Sequence, residues 1–195
     1  MPTTVLSAFL TFTMITAFTP GPNNILAFSA GNQYGLKKCS PIIAGICTGF
    51  LCVMALCGMA VVSASAVSEH VIKWMRYIGS IYILWLAWKV AFPAHQVSTE
   101  SSIYPGFIRG FVLQFINIKI IIYGLTAFSG FIIPYYNSSI AISAFVIILS
   151  IVGCSGVIAW TVAGFALQKI LQKHPAVINS VMGIMLVACA ISIII

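Results

Sequence analysis

Lys119 stands deep in a long apolar run, two residues after Asn117 and five after Gln114, and Pro20-Gly21-Pro22-Asn23-Asn24 interrupts another such run near the start of the chain. These are the residues that could do chemistry. Two prolines remove two backbone donors and obstruct the preceding helical turn, so carbonyls are left free there. Thr13, Thr16, Pro20 and Asn23 follow spacings of three and four, which puts hydroxyls and an amide on one helix face. In hydrocarbon such groups need protein or a wet cavity. The structural alternative is an ordinary kink in which the threonine hydroxyls bond back to carbonyls.

Lys119 lies ten residues, about 15 Å at helical rise, beyond Arg109. With Arg109 at a membrane surface, Lys119 is close to mid-bilayer, too deep for its stem to reach the interface, and an ammonium there costs at least ~3 kcal/mol on insertion scales. The chain has only two acids, Glu69 and Glu100, and both fall between apolar segments. The missing counter-ion is then a substrate carboxylate, with Asn23, Asn24, Asn117 and freed carbonyls receiving an α-ammonium and a small polar side chain. An amino-acid zwitterion fits that inventory. The competing reading holds Lys119 on the carbonyls of the broken first helix for purely structural reasons. On an intact helix Asn117 and Lys119 point about 200° apart. Both can line one cavity only if the segment unwinds or the helix is surrounded by protein, and the sequence leaves both options open.

The elements that must position these groups are helices in a membrane. Of 195 residues, 61% are hydrophobic, more than a soluble domain of this size can hide from water. Apolar runs of about 20 residues predict six helices at about 7–30, 42–66, 71–92, 107–133, 139–167 and 176–194. The runs are continuous and lack the alternation of barrel strands. No room remains for a soluble domain, and the first segment, preceded by no Lys or Arg, is expected to stay as a helix.

Lys37 and Lys38, Lys89 and Arg109, and Lys169 and Lys173 fall in alternate loops, while the opposite face carries Lys73 and Arg76 beside Glu69. Basic loops are retained in the cytoplasm, so both termini are expected to be periplasmic. The net charge of +7 is therefore a topology signal facing anionic lipid, without the basic, aromatic stripe of a nucleic-acid binder. Residues 1–100 and 101–195 each carry three helices. Three is odd, so the halves have opposite orientations, the arithmetic of an inverted-repeat transporter. A bundle of 195 residues is thin, and a homodimer would bury more of it.

Cys47, Cys52 and Cys57 are spaced by five, which turns successive thiols about 140° around a helix, and Cys39, Cys154 and Cys189 are scattered. They read as small apolar residues, with no metal or cofactor implied. A transmembrane thiol relay, the rival of another class, needs a facing pair on different helices. A hydrolytic enzyme lacks a carboxylate pair, a Ser-His arrangement and a metal cluster. Gly45 and Gly49, and Gly153, Gly156 and Gly164, resemble small-residue seams. Trp85 and Trp88 beside Lys89 read as interfacial anchors. Trp160, with Gly156 and Gly164 one turn away, could line or gate a pathway. His70, His95 and His174 fall near the surfaces, where a histidine is usually solvated. With no intramembrane carboxylate, Lys119 itself is the candidate proton carrier.

The run Thr19-Pro20-Gly21-Pro22-Asn23-Asn24-Ile25-Leu26-Ala27 resembles the first-helix signature of the LysE/RhtB family of bacterial amino-acid exporters. Gly79-Ser80-Ile81-Tyr82-Ile83-Leu84-Trp85-Leu86-Ala87-Trp88-Lys89 is similar to its third helix, and Phe115-Ile116-Asn117-Ile118-Lys119 to its fourth. Ile118 stands where many members have proline. The runs Leu6-Ser7-Ala8-Phe9 and Leu113-Gln114-Phe115, with Asn117 through Gly124, most resemble the branch that exports cysteine and O-acetylserine. The resemblance implies efflux across the bacterial inner membrane, driven by the proton gradient, with no enzymatic step. A homoserine/threonine-type exporter would share these features and differ only in the residues lining its cavity. The expected pathway residues are Pro20, Gly21, Pro22, Asn23, Asn24, Gln114, Asn117, Lys119 and Trp160.

Overall fold

The computed structural model describes residues 1–63, 69–92, 106–168 and 175–194. Every regular element among them is helical: α1 (Thr3–Phe18), α2 (Pro22–Ser63), α3 (Glu69–Ala91), α4 (Phe107–Ile116), α5 (Ile118–Thr126), a π-helical turn (Ala127–Ile132) that prolongs α5, α6 (Ser139–Ala166) and α7 (Pro175–Ile194). Glu69 opens α3 instead of lying in a loop. Glu100, His95 and His174 lie outside the described residues, as do Lys169 and Lys173.

Helix α2 holds 42 residues, about 63 Å at helical rise and twice a hydrocarbon core, so it cannot cross straight. It turns at Gly35, whose φ of +73° is left-handed backbone that suits a residue without Cβ. The limb 22–34 therefore continues the first apolar run, and 36–63 carries the second. By length and composition α2 and α6 suffice to cross a membrane, and α4 with α5, bent by 60° at their junction, makes a third candidate. Large apolar side chains face outward on several helices: Ile140 is 85% exposed, Ile108 75% and Ile184 68%. Water would penalise that surface, and lipid would not.

Glycines decide how the helices meet. A Cβ at Gly45 would collide with the carbonyl of Phe107, and one at Gly110 with that of Ile42, so α2 and α4 touch backbone to backbone. The same device recurs on the other side of the bundle. Gly31 meets the carbonyl of Thr161 and Gly164 that of Phe28, while Gly156 meets Ala17 of α1, which joins α6 to the first broken helix. Helices α3 and α7 pack through Ile83, Ala87, Met182, Leu186 and Ala190, and Ser80 Oγ donates to the Ala190 carbonyl at 3.0 Å. Close backbone contact between small residues is how helices associate where burial of apolar surface gives no drive.

Candidate functional site

The first interruption forms where the prolines predict it. Helix α1 ends at Phe18, Thr19 is extended, and α2 starts at Pro22. The freed carbonyls are not left bare. Asn24 Nδ2 donates to Ala17 O at 2.9 Å and Thr19 O at 2.8 Å, and Trp160 Nε1 donates to Phe18 O at 3.0 Å. Lys119 Nζ donates to Thr19 O at 2.9 Å, Thr19 Oγ1 at 3.0 Å and Pro20 O at 3.3 Å. Thr19 Oγ1 itself donates to Thr16 O at 3.1 Å. Gly21 leaves room for the lysine stem, since a Cβ there would lie 2.8 Å from Lys119 Cδ and 2.9 Å from Nζ.

The second interruption forms without proline. Asn117 leaves the helical region (φ −78°, ψ 92°), its N–H turns back to Gln114 O at 3.3 Å, and its carbonyl accepts from Ile120 and Ile121 N–H as α5 begins. What holds this bend is tertiary. Asn23 Nδ2 donates to Gln114 Oε1, Gln114 Nε2 donates to Asn23 Oδ1 at 3.2 Å, and Asn117 Nδ2 donates to Asn23 Oδ1 at 2.8 Å. Gln114 Nε2 also reaches Gly110 O at 2.8 Å. All three amides are buried. One tie thus joins the first turn of α2 to the last turn of α4, and a second, through Lys119, joins the first turn of α5 to the end of α1.

Between the ties lies a cavity of about 40 Å³, room for about three waters. Asn23, Asn24, Asn117, Lys119, Phe50 and Tyr123 are among the residues that line it. Asn117 Oδ1 and the Tyr123 hydroxyl are buried with no hydrogen-bond partner among the described residues. A larger cavity of about 550 Å³ adjoins it, running beside Phe12 and Ile15 of α1, Ile122 and Thr126 of α5, and Met185 to Ile193 of α7. Thr16, Lys119 and Tyr123 border both. Two helix N-termini (α2, α5) and two C-termini (α1, α4) converge on this region, which offers partial charges of both signs.

The structure therefore gathers Gly21, Pro22, Asn23, Asn24, Asn117 and Lys119 at the small cavity, with Pro20 on the larger one and Gln114 behind the amide tie. Trp160 stands apart from both linings, capping Phe18 O with its ring edge-on to Phe28 at 6.0 Å. Thr13 bonds back to Leu10 O at 3.0 Å and so takes the structural role, whereas Thr16 lines the cavities. Sequence reasoning missed Tyr123, which in an apolar run reads as packing. Its only signal was the spacing of four from Lys119, one helical turn on the same face.

All six cysteines are free thiols. Cys47 and Cys154 do face each other across α2 and α6, but they line neither cavity. No cluster of His, Cys, Asp or Glu suited to a metal occurs among the described residues.

No solved structure matches the chain. Curated relatives named cysteine/O-acetylserine efflux protein include one from Escherichia coli, 38% identical over 193 residues and 99% of each chain. Others are from Salmonella typhimurium, 39% identical over 189 residues, and Salmonella paratyphi A, 38% identical over 192 residues, each covering 97% of both chains. The family model described as LysE type translocator matches residues 14–195, which spans both interruptions and the whole lining of the small cavity, and the chain belongs to that family.

Proposed function

We propose that this chain exports small neutral amino acids, cysteine and O-acetylserine first, across the bacterial inner membrane by alternating access. The observation that carries the reading is the small cavity. There Lys119, its ammonium bound to oxygens, lines the same space as Asn117 and Tyr123, whose Oδ1 and hydroxyl have no hydrogen-bond partner among the described residues, between two broken helices. A zwitterion answers both ends of that arrangement. Its carboxylate is drawn to Lys119 and to the N-termini of α2 and α5, as anions are at helix N-termini. Its ammonium is drawn to Asn117 Oδ1 and to the carbonyl ends of α1 and α4. The names of the curated relatives supply the narrower substrates.

The chain is read as six spans in two inverted halves, 1–100 and 101–195, with both termini periplasmic. The mirrored glycine contacts support this: the second span of each half packs on the broken first span of the other. On that reading Pro20, Gly21, Pro22, Asn23, Asn24, Gln114, Asn117 and Lys119 form the pathway and its supports, and Trp160 holds the end of α1. The larger cavity, on the side of the termini, is then the exit vestibule. Export is coupled to the proton gradient with Lys119 as carrier, since Lys119 and Tyr123 are the titratable side chains on the small cavity.

The test is the appearance of cysteine and O-acetylserine in the medium of cells overproducing the protein, beside cells carrying Lys119→Met at equal membrane abundance. Export by the native protein alone is the expected result. Export of neither compound would discard the substrate assignment and turn the search to homoserine and threonine. Equal export after the pH gradient is collapsed in vesicles would remove the proton as driver.

A further inference from the structure

Tyr123 carries a polar group that the fold itself does not use. Its ring is fixed, stacked on Phe12 at 5.7 Å and 20° and tilted against Phe50 at 6.0 Å, and the residue is only 3% exposed. Its hydroxyl has no partner among the described residues. A buried hydroxyl without a partner is a standing penalty. Phenylalanine would fill the same space without it. Tyr123 also borders both cavities, one turn beyond Lys119 on α5.

The other groups of an amino acid are already provided for at this site. Lys119 and two helix N-termini answer the carboxylate, and Asn117 Oδ1, which can only accept, answers the ammonium. A phenol is neutral and both donates and accepts. It suits the one part of the substrate still unread, a heteroatom on the side chain. We propose that Tyr123 is a specificity-determining residue whose hydroxyl hydrogen-bonds the side-chain heteroatom of the transported amino acid, selecting substrates with sulfur or oxygen at the γ position over apolar ones of equal size. The inference rests on the exporter reading above and names what its site discriminates.

Purified protein in vesicles is assayed with cysteine, O-acetylserine and 2-aminobutyrate, which is cysteine with a methyl in place of the thiol. The native protein is expected to favour the first two. In Tyr123→Phe that preference should fall about five-fold, the worth of one hydrogen bond, with 2-aminobutyrate the least affected of the three and a melting temperature equal or higher. An unchanged preference overturns the proposal. So does a native protein that already carries 2-aminobutyrate as well as cysteine, an equal loss on all three compounds, or a lowered melting temperature, which would mean that the hydroxyl is bonded within the protein. If the native protein carries none of the three, the exporter reading falls and this inference with it.

Discussion

Replacing Lys119 by methionine separates a lysine that moves substrate from one that merely closes a helix end. Three oxygens accept from Nζ, but they do not depend on it equally. Thr19 O keeps Asn24 Nδ2, and Thr19 Oγ1 still donates to Thr16 O, so only Pro20 O loses its partner. One orphaned carbonyl costs about 1–3 kcal/mol. Against that, on the exporter reading the variant no longer holds an ammonium deep in the bilayer, a relief of roughly 3 kcal/mol on insertion scales. The two nearly cancel, and methionine follows the course of the lysine stem past Gly21. Lys119→Met should therefore reach the membrane at native abundance and melt within about 2 kcal/mol of the native protein in detergent, while counterflow of labelled cysteine drops to background. Transport that survives would refute a role in binding. A collapsed fold would refute the cancellation and return Lys119 to a structural duty. Lys119→Arg should also fail, because the wider fork does not fit against Gly21.

The amide tie should show coupling: Gln114→Leu alone should lose about 1–3 kcal/mol by stranding Asn23, and the double variant with Asn23→Leu should melt higher than the summed losses predict, read as a double-mutant cycle. Gly45→Ala should lower stability by about 1–3 kcal/mol as α2 and α4 are pushed apart. Gly130→Ala, which meets nothing within 4 Å, should change it by less than about 0.5 kcal/mol in the same melts. Trp160→Phe keeps the ring against Phe28 but strands Phe18 O, so thermal stability should fall by about 1–3 kcal/mol with the order of substrate competition unchanged.

The first interruption was legible because proline acts locally: two missing donors can be counted from the sequence. The second was not. Nothing at Ile118 forbids a helix, and Asn117 bends because Asn23, 94 residues earlier, accepts from its side chain. Helix ends at 107, 139 and 175 fall within a residue of the starts read from apolar runs, since lipid imposes a length that the sequence must meet. The glycine seams were visible as seams, but their partners were not, because spacing along one helix says nothing of which carbonyl will lie against it. The facing thiols of Cys47 and Cys154 and the stranded hydroxyl of Tyr123 were hidden for the same reason.

The two ties across the cavity differ electrically. The latch of Asn23, Gln114 and Asn117 is built from neutral amides, so a membrane potential does almost no work on it when it opens. On the exporter reading, the latch of Lys119 on Thr19 and Pro20 would move a full charge if it opened with the ammonium protonated, worth about 2.3 kcal/mol per 100 mV if carried across the whole field. On that reading, of the two latches voltage biases the one where α1 and α5 meet. A current recorded on a step in potential would time the release of that latch and be blind to the other.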